Sequence, residues 1–178
     1  MRSSNSMAEL AIPARCVVLL VGAAGAGKST FARRHFTPEA ILSSDAMREA
    51  IAGDAADQRV NGPAFAALHR ALDRRLASGG LAVVDATNAT AAARRAIRRI
   101  AERHRVPVIA IVLDVPEAIV RARNAGRTER PVPDEVVTRH LAALARTRDL
   151  GTLEAEGYAR IIWLRDVAEV DRVVVRLG

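Results

Sequence analysis

The sequence has a single lysine and few aromatic residues. Lysine and arginine together number 27 of the 178 residues, and since Lys28 is the only lysine, the other 26 basic residues are arginine. Aromatic residues make up 3% of the chain. A genome rich in GC codons produces the same excess of alanine and arginine, so composition alone is not evidence of function. The one informative feature is the position that has kept a lysine.

The sequence also has a single cysteine and no hydrophobic run long enough to span a bilayer. Cys16 lies in the apolar run CVVLLV, and a lone cysteine excludes an intramolecular disulfide. This usage is typical of a reducing compartment, so we expect a cytoplasmic protein. The apolar run is short and ends in glycines, and for that reason we expect neither a signal peptide nor a membrane anchor.

Length and charge are compatible with a single globular domain. Hydrophobic residues make up 50% of the chain, which is enough for a sizeable core. We expect residues 1–14 to form a disordered extension and residues 15–178 to form one domain. The net charge of +7 and the pI near 11.1 favour polyanionic partners, although arginine-rich drift gives the same charge.

Short apolar runs alternate with amphipathic segments along most of the chain, which is typical of an α/β fold with a parallel sheet of about five strands and helices on both faces. The predicted strands are 16–21, 40–43, 81–85, 107–113 and 160–164. The predicted helices are 63–78, 91–105, one starting at Pro116, and one running from Asp134 to about residue 147. In such sheets ligands bind beyond the carboxyl ends of the strands.

The segment GAAGAGKST, residues 22–30, matches the phosphate-binding pattern G-x-x-x-x-G-K-[ST] between a strand and a helix. Its glycines let backbone N–H groups face phosphate oxygens, while the lysine reaches the β- and γ-phosphates and the serine hydroxyl binds Mg²⁺. A planar guanidinium does not fit such a tight nest, which explains the single lysine. We therefore expect ATP and Mg²⁺ as ligands, with a nucleotide site at Gly22, Gly25, Ala26, Gly27, Lys28, Ser29 and Thr30.

The second predicted strand ends in SSDAMR, which places Asp45 in the first turn of a helix and Arg48 three residues later, on the same face. The helix start and Arg48 both favour an ionised carboxylate, which suits a group that orients an attacking hydroxyl and accepts its proton. The alternative is a helix-terminal charge in a surface ion pair.

The order of motifs resembles that of the 5′-hydroxyl polynucleotide kinases, in particular the kinase module of bacterial polynucleotide kinase-phosphatases and their phage relative. The P-loop is followed by S-S-D-x-x-R, by VVDATN and by R-x-x-x-R-T-x-R, so the resemblance covers about residues 17–164. It implies a P-loop kinase fold and transfer of the ATP γ-phosphate to a 5′-OH end of RNA or DNA in nucleic-acid repair. It also implies that Asp45 is the general base and that Arg48 steadies it and contacts the acceptor's phosphate.

The same resemblance bears on two further segments. Asp85 ends the third strand, where a carboxylate can hold Mg²⁺ through water, although it could also only shape the following turn. RARNAGRTERPVP supplies Arg123, Arg127 and Arg130 on a segment near 123–134 that glycine and prolines interrupt, and the resemblance implies an ATP lid that uses Arg123 and Arg127. For Arg130 the alternative of a solvated face stays open.

The arginines at 94, 95, 98 and 99 are predicted to form the solvated outer face of a helix. The chain has no D-x-D-x-T phosphatase signature, so phosphatase or ligase modules would belong to a larger repair protein. Two other functions remain open. One is a P-loop kinase of a small molecule such as a sugar, nucleoside, antibiotic or nucleotide-sugar, in the style of zeta toxins. The other is a nucleotide-switched nucleic-acid-binding module, for which Asp45 would be dispensable.

Overall fold

The computed structural model describes residues 9–55, 57–127 and 131–178. Within these ranges the strands are β1 (Glu9–Ile12), β2 (Val17–Val21), β3 (Ile41–Ser43), β4 (Ala82–Asp85), β5 (Val108–Leu113), β6 (Arg160–Leu164) and β7 (Val174–Leu177). The α-helices are α1 (Lys28–His35), α2 (Ser44–Ala52), α3 (Asn61–Ala77), α4 (Ala91–Arg103), α5 (Glu117–Ala125), α6 (Asp134–Asp149), α7 (Thr152–Ala155) and α8 (Val167–Arg172). Short 3₁₀ turns cover Pro38–Ala40 and Gln58–Val60.

The main sheet of the described residues has five parallel strands in the order β3-β4-β2-β5-β6. Helices flank it, so the predicted α/β architecture is confirmed. Every residue of β2, β4 and β5 is buried. Continuous apolar runs of this kind are expected in parallel strands that are covered on both faces.

The strand order brings three carboxyl ends to one edge of the sheet. Ser43, the last residue of β3, pairs with Asp85, the last residue of β4, and β4 in turn lies beside β2. The segments that follow these three strands are the P-loop, the start of α2 and the loop at 86–90. All three therefore lie side by side, where ligands bind in open α/β sheets.

The helices follow the predicted pattern closely. On α3, Leu68, Leu72 and Leu76 are fully buried against the sheet, and each such side chain contributes about 1.5–3 kcal/mol by leaving water. Thr90 caps α4, because its hydroxyl accepts a hydrogen bond from the Ala93 N–H at 3.3 Å. None of the helices in the described ranges has both the length and the apolar character needed to cross a membrane.

The prediction of a disordered segment at 1–14 is wrong for its second half. β1 pairs in parallel with β7 in a small separate sheet, and Leu10 and Ile12 are buried. The alternation of ELAI, with the second and fourth residues inward, is that of a half-buried strand. Its partner lies more than 160 residues away in sequence, so local patterns gave no indication of the pairing. Residues 1–8 lie outside the described ranges.

The prediction of a solvated arginine face on α4 is wrong at one position. Arg95 and Arg99 are exposed, but Arg94 is completely buried and pairs with Glu156. Arg94 lies on the same side of α4 as Ile97 and Ala101, which are also buried, so the inward face of this helix carries a guanidinium at its first turn.

Candidate active site

The P-loop connects β2 to α1 and packs against α5, where Gly25 lies near Val120 and Asn124. Gly25 and Gly27 have φ angles of 92° and 99°, in the left-handed region that glycine adopts readily. A Cβ atom at Gly25 would lie 2.6 Å from the carbonyl oxygen of Val120, closer than packed atoms approach. Glycine is therefore required at position 25 by the backbone conformation and by the neighbouring helix.

Lys28 begins α1 and turns its side chain back over the P-loop. Its Nζ donates hydrogen bonds to the carbonyl oxygens of Gly22 and Ala23 at 2.9 and 2.8 Å. The residue is 8% exposed, so the ammonium group lies in a confined nest of backbone atoms. Such a nest suits a compact cation and leaves little room for the larger, planar guanidinium.

The charges around Lys28 come from three other segments of the cleft. The pKa of Lys28 is lowered to about 8, mainly by burial; the carboxylates of Asp85 and Asp45 act to raise this pKa, and the positive charge of Arg127 acts to lower it. These interactions show that Asp45, Asp85 and Arg127 all lie within electrostatic range of the P-loop lysine.

Asp85 and Ser29 form a pair of oxygen ligands at the end of β4. The Ser29 hydroxyl donates a hydrogen bond to the Asp85 carboxylate, which is buried. Burial raises the pKa of Asp85, and the Ser29 hydrogen bond and the Lys28 charge offset this only in part. A hydroxyl and a carboxylate are the hard oxygen donors that Mg²⁺ prefers. The pair therefore fits a magnesium ion, which keeps most of its water ligands and needs few protein groups. Elsewhere in the described residues no cluster of three or more metal-binding side chains occurs.

Asp45 and Arg48 form an ion pair at the start of α2, and both line the same cleft as the P-loop. Ser43 caps this helix by accepting a hydrogen bond from the Ala46 N–H at 3.4 Å. The two partners differ in exposure: the Arg48 side chain is 10% exposed, whereas that of Asp45 is 55% exposed. An ordinary surface pair would expose both. The buried arginine instead holds an accessible carboxylate, as expected for a group that must receive a substrate.

Arg48 is fixed by the connector that precedes α3. Its Nε donates to the carbonyl oxygen of Ala55 at 2.6 Å and its Nη1 donates to Asn61 Oδ1 at 3.0 Å. Asn61 in turn donates to Gln58 Oε1 at 2.7 Å. From sequence, residues 54–62 are a polar connector near the Asp45 helix that could line the acceptor groove, although nothing in their chemistry fixes that role. The structure places Gln58, Asn61 and Phe65 in the cleft wall.

The loop after β4 forms the next part of the wall. The Gly22 N–H donates to the carbonyl oxygen of Thr87 at 3.1 Å, and Asn88 Nδ2 donates to the carbonyl oxygen of Leu20 at 2.8 Å. Asn88 has a φ of 47°, a left-handed conformation that asparagine tolerates better than most residues. These contacts fix the loop against the P-loop, and Thr87, Asn88 and Thr90 line the cleft.

The predicted lid arginines lie in different positions. Arg127 lines the cleft. Arg123 approaches the P-loop from α5, where its Nη1 donates to the Ala26 carbonyl oxygen at 3.4 Å. Arg130 lies outside the described residues. Asn124, near the C-terminal end of α5, is hydrogen-bonded to the backbone of Val132. Its side chain donates to the Val132 carbonyl oxygen at 2.7 Å and accepts from the Val132 N–H at 3.1 Å.

His140 on α6 is a cleft residue that no sequence motif indicated. It lines the cleft, its Nδ1 is buried without a hydrogen-bond partner, and burial together with the charges of Lys28 and Arg139 lowers its pKa to about 4. The imidazole is therefore neutral at physiological pH. The histidine spacing in the sequence does not indicate this position. His140 lies near Lys28 in the folded chain but far from it along the sequence.

These groups enclose a single continuous cleft of about 390 Å³, within the range of small-ligand sites. The P-loop with Lys28 and the Asp45–Arg48 pair both line this cleft. The arrangement can hold a nucleotide polyphosphate and bring a second molecule between its terminal phosphate and a carboxylate.

A family model described as an AAA domain matches residues 17–150, which include the P-loop, α2, the loop after β4 and all of α6. No curated protein sequence matches this chain.

Solved structures show the same fold at low sequence identity. A chain of the Pnkp1/Rnl/Hen1 RNA repair complex matches with 21% identity and a TM-score of 0.60 over 84% of this chain and 49% of that chain. The PezAT chromosomal toxin-antitoxin system of Streptococcus pneumoniae matches with 16% identity and a TM-score of 0.63, over 92% and 71% of the two chains. Shikimate kinase from Acinetobacter baumannii matches with 20% identity and a TM-score of 0.54, over 88% of each. The protein thus spans about half the length of the RNA repair chain.

Proposed function

The chain belongs to the AAA domain family and has a P-loop kinase fold, and on this basis we propose that it is an ATP-dependent polynucleotide 5′-hydroxyl kinase. It transfers the γ-phosphate of ATP to a 5′-OH end of RNA or DNA, and it acts in nucleic-acid repair in the cytoplasm.

One observation carries the proposal: an accessible carboxylate, Asp45, shares the cleft with the P-loop lysine, Lys28, and with the Ser29–Asp85 pair. A nucleotide-binding site alone would account for the P-loop and the oxygen ligands. It would not require an exposed carboxylate in the same cleft whose arginine partner is buried and hydrogen-bonded to the connector before α3 and to the first residue of α3. A second substrate with a hydroxyl group accounts for both the carboxylate of Asp45 and its buried arginine partner, Arg48.

The donor side uses residues of the P-loop and of the lid. The backbone of Gly22, Gly25, Ala26 and Gly27, with Thr30 at the start of α1, surrounds the phosphates, and Lys28 binds the β- and γ-phosphates. Ser29 and Asp85 would hold Mg²⁺, which would supply positive charge beside the phosphate oxygens. Arg123 and Arg127 bind phosphate oxygens from the α5 side, and Arg130 has the same assignment from its sequence position.

The acceptor side uses Asp45 and Arg48. Asp45 Oδ accepts a hydrogen bond from the acceptor hydroxyl and receives its proton as the new bond between that oxygen and the γ-phosphorus forms. The bond between this phosphorus and the bridging oxygen breaks, and ADP leaves. Because transfer proceeds through a loose transition state, the position of the hydroxyl matters more than the strength of the base. A general base of this kind contributes about 10²–10⁴ in rate.

The assignment of a polynucleotide acceptor is supported by the order of the motifs SSDAMR, DATN and RARNAGR, and by the fold shared with the RNA repair chain. The net charge of +7 favours a polyanion. Phe65 offers a ring in the acceptor wall on which a terminal nucleoside can stack. The repair assignment implies phosphatase or ligase modules as partners, on this chain or on another.

A small-molecule acceptor has one specific observation in its favour. The cleft of about 390 Å³ must hold the nucleotide phosphates as well as the acceptor, which leaves space for an acceptor the size of a sugar. Shikimate kinase, a small-molecule kinase by name, has the same fold.

Transfer from radiolabelled ATP distinguishes the two acceptors. The protein is incubated with a 5′-OH oligoribonucleotide, a 5′-OH oligodeoxynucleotide and a panel of sugars, nucleosides, antibiotics and nucleotide-sugars. The proposal predicts labelled oligonucleotide, and a matched 5′-phosphorylated oligonucleotide serves as the control that stays unlabelled. Labelling of a metabolite alone would show that the acceptor is a small molecule.

Substitution of Asp45 tests the transferase chemistry itself. Asp45→Asn keeps the size of the side chain and removes the proton acceptor, so we expect turnover to fall by about 10²–10⁴ with ATP affinity preserved. Arg95→Ala, on the exposed face of α4, is the control and should retain turnover. Near-normal turnover of Asp45→Asn would contradict the acceptor assignment, and oligonucleotide binding without transfer in the parent protein would indicate a nucleotide-switched binding module.

A further inference from the structure

Arg94 is a completely buried arginine at the first turn of α4. Its Nη1 donates to the carbonyl oxygens of Asn88 and Ala89 at 3.1 and 2.8 Å. Its Nε and Nη2 donate to the two carboxylate oxygens of Glu156 at 3.0 and 2.6 Å. The guanidinium thus joins the loop after β4 to the segment between α7 and β6 through a bidentate pair, the strongest geometry for such contacts.

The two carbonyl groups that Arg94 contacts belong to the cleft wall. Asn88 and Ala89 both line the cleft, between Thr87 and Thr90. The opposite side of the same loop is fixed to β2 and the P-loop through Asn88 Nδ2 and the Thr87 carbonyl oxygen. Arg94 therefore completes a clamp on a short loop that begins at Asp85, the predicted magnesium ligand.

The acidic partner is itself held in place. The Tyr158 hydroxyl donates to Glu156 Oε2 at 2.8 Å, and the Arg98 guanidinium lies 5.5 Å from the centroid of the Tyr158 ring. Burial alone would raise the pKa of Glu156, but hydrogen bonds from Arg94 and Tyr158 lower it. Glu156 is therefore ionised at neutral pH, and the buried pair carries both charges.

Stability is a weak reason for such a pair. Removing two charged groups from water costs several kcal/mol per ion, and well-packed apolar replacements are often as stable or more so. What an apolar side chain cannot do is donate hydrogen bonds to the Asn88 and Ala89 carbonyl groups. Arg94 shares the Ala89 carbonyl oxygen with the Thr147 hydroxyl, which donates to it at 3.3 Å, and it contacts the Asn88 carbonyl oxygen through its own Nη1. These polar contacts, which an apolar residue at position 94 would lack, help to fix the cleft loop.

We propose that Arg94, held by Glu156, is a positioning residue for phosphate transfer: through the Asn88 and Ala89 carbonyl groups it fixes the 85–90 loop so that Asp85 and Thr87 keep their places beside the P-loop. The inference rests on the proposed function of the cleft as a kinase site. Arg94 contacts neither substrate, so its loss should affect turnover without removing the nucleotide site.

The test is a double substitution, Arg94→Met with Glu156→Met, which removes both charges and fills the space with flexible apolar side chains. We expect a melting temperature close to that of the parent protein and unchanged affinity for a non-hydrolysable ATP analogue. We expect kcat to fall about tenfold or more with the KM for ATP unchanged, since a small displacement of reacting groups costs up to about a hundredfold. Arg95→Ala, the neighbouring exposed arginine, is the matched control and should match the parent.

Arg94→Lys is a second variant that keeps a cation opposite Glu156 and so leaves no unpaired buried charge. One ammonium group cannot bond both carboxylate oxygens and both carbonyl groups, so kcat should lie between that of the parent and that of the double variant. Parent-like kcat in either folded variant would overturn the inference. So would a loss of turnover that equals the loss of nucleotide affinity, because it would mean a purely structural role.

The parent protein in the same assay separates this inference from the proposed function. If the parent labels no oligonucleotide, the proposed acceptor is wrong. The ratio of the variant's kcat to the parent's kcat is then measured with the acceptor that is labelled, or with the slow hydrolysis of ATP by water. If the parent is active and the variants are equally active, the role of Arg94 is wrong and the kinase assignment stands.

Discussion

The pKa of Lys28 makes nucleotide affinity depend on pH just above neutrality. In the ligand-free cleft, burial lowers this pKa to about 8. A bound polyphosphate favours the protonated amine strongly, so its pKa in the complex rises toward the ordinary value of about 10.4. Binding above neutral pH must therefore take up a proton, and affinity must fall as the pH rises through 8.

The magnitude follows from the fraction of protonated lysine. With a pKa of about 8, roughly nine-tenths of the ligand-free molecules are protonated at pH 7, about half at pH 8 and about one-tenth at pH 9. The dissociation constant should therefore increase about tenfold between pH 7 and pH 9, which corresponds to about 1.4 kcal/mol. Proton uptake on binding should be about half a proton at pH 8 and close to one at pH 9.

Isothermal titration calorimetry with a non-hydrolysable ATP analogue measures both quantities, if each pH is repeated in two buffers of different ionisation enthalpy. Lys28→Met is the control: it should bind weakly at every pH, without the proton uptake. An affinity that does not change between pH 7 and 9 would refute the reasoning. The same slope in Lys28→Met would also refute it, because another group would then be titrating.

Three further substitutions give expected outcomes from the same geometry. Asp85→Asn removes a charge that raises the Lys28 pKa, so the midpoint of the affinity change should move below pH 8. Arg127→Ala removes a charge that lowers the same pKa, so the midpoint should move upward. Midpoint shifts of the same sign in both variants would contradict the assignment of the titration to Lys28. Gly25→Ala places a Cβ 2.6 Å from a backbone oxygen at a φ of 92°, so the melting temperature and nucleotide affinity should both fall, with a strain of about 1–3 kcal/mol. Gly62→Ala meets no atom within 4 Å and should leave thermal melting and calorimetric affinity unchanged; a matching loss there would show a general sensitivity to alanine.

Much of the fold could be predicted from local sequence. The five strands of the main sheet are short apolar runs, and four of the five begin one residue later than predicted while all five end where predicted. Thr90 and Gly79-Gly80 mark helix boundaries through capping and turn chemistry, which act within a few residues. Local sequence does not predict strand β1, because its partner is the last strand of the chain and its four residues, although mostly apolar, directly follow a polar N-terminal stretch.

The residues of the candidate site also fall into a group that the sequence predicts and a group that it does not. The P-loop, Asp45 and Asp85 follow strand ends, so topology alone brings them together. Gln58, Asn61 and His140 reach the cleft from the connector before α3, from the first residue of α3 and from α6, respectively, and no spacing in the sequence relates them to Lys28. Their positions depend on how the helices pack, which is a property of the whole fold.

Arg94 shows why composition was a poor guide to its environment. In a chain with 26 arginines, an arginine on a helix is expected to face water, and the neighbours at 95 and 99 do so. Burial requires a partner that satisfies the guanidinium, and here the partner carboxylate is 62 residues away in sequence. Helical spacing places Arg94 beside Ile97 and Ala101, on the apolar face, and this was the available signal. An arginine at an inward position of an amphipathic helix therefore predicts a distant carboxylate, and the loop that the same guanidinium contacts is the place to look for function.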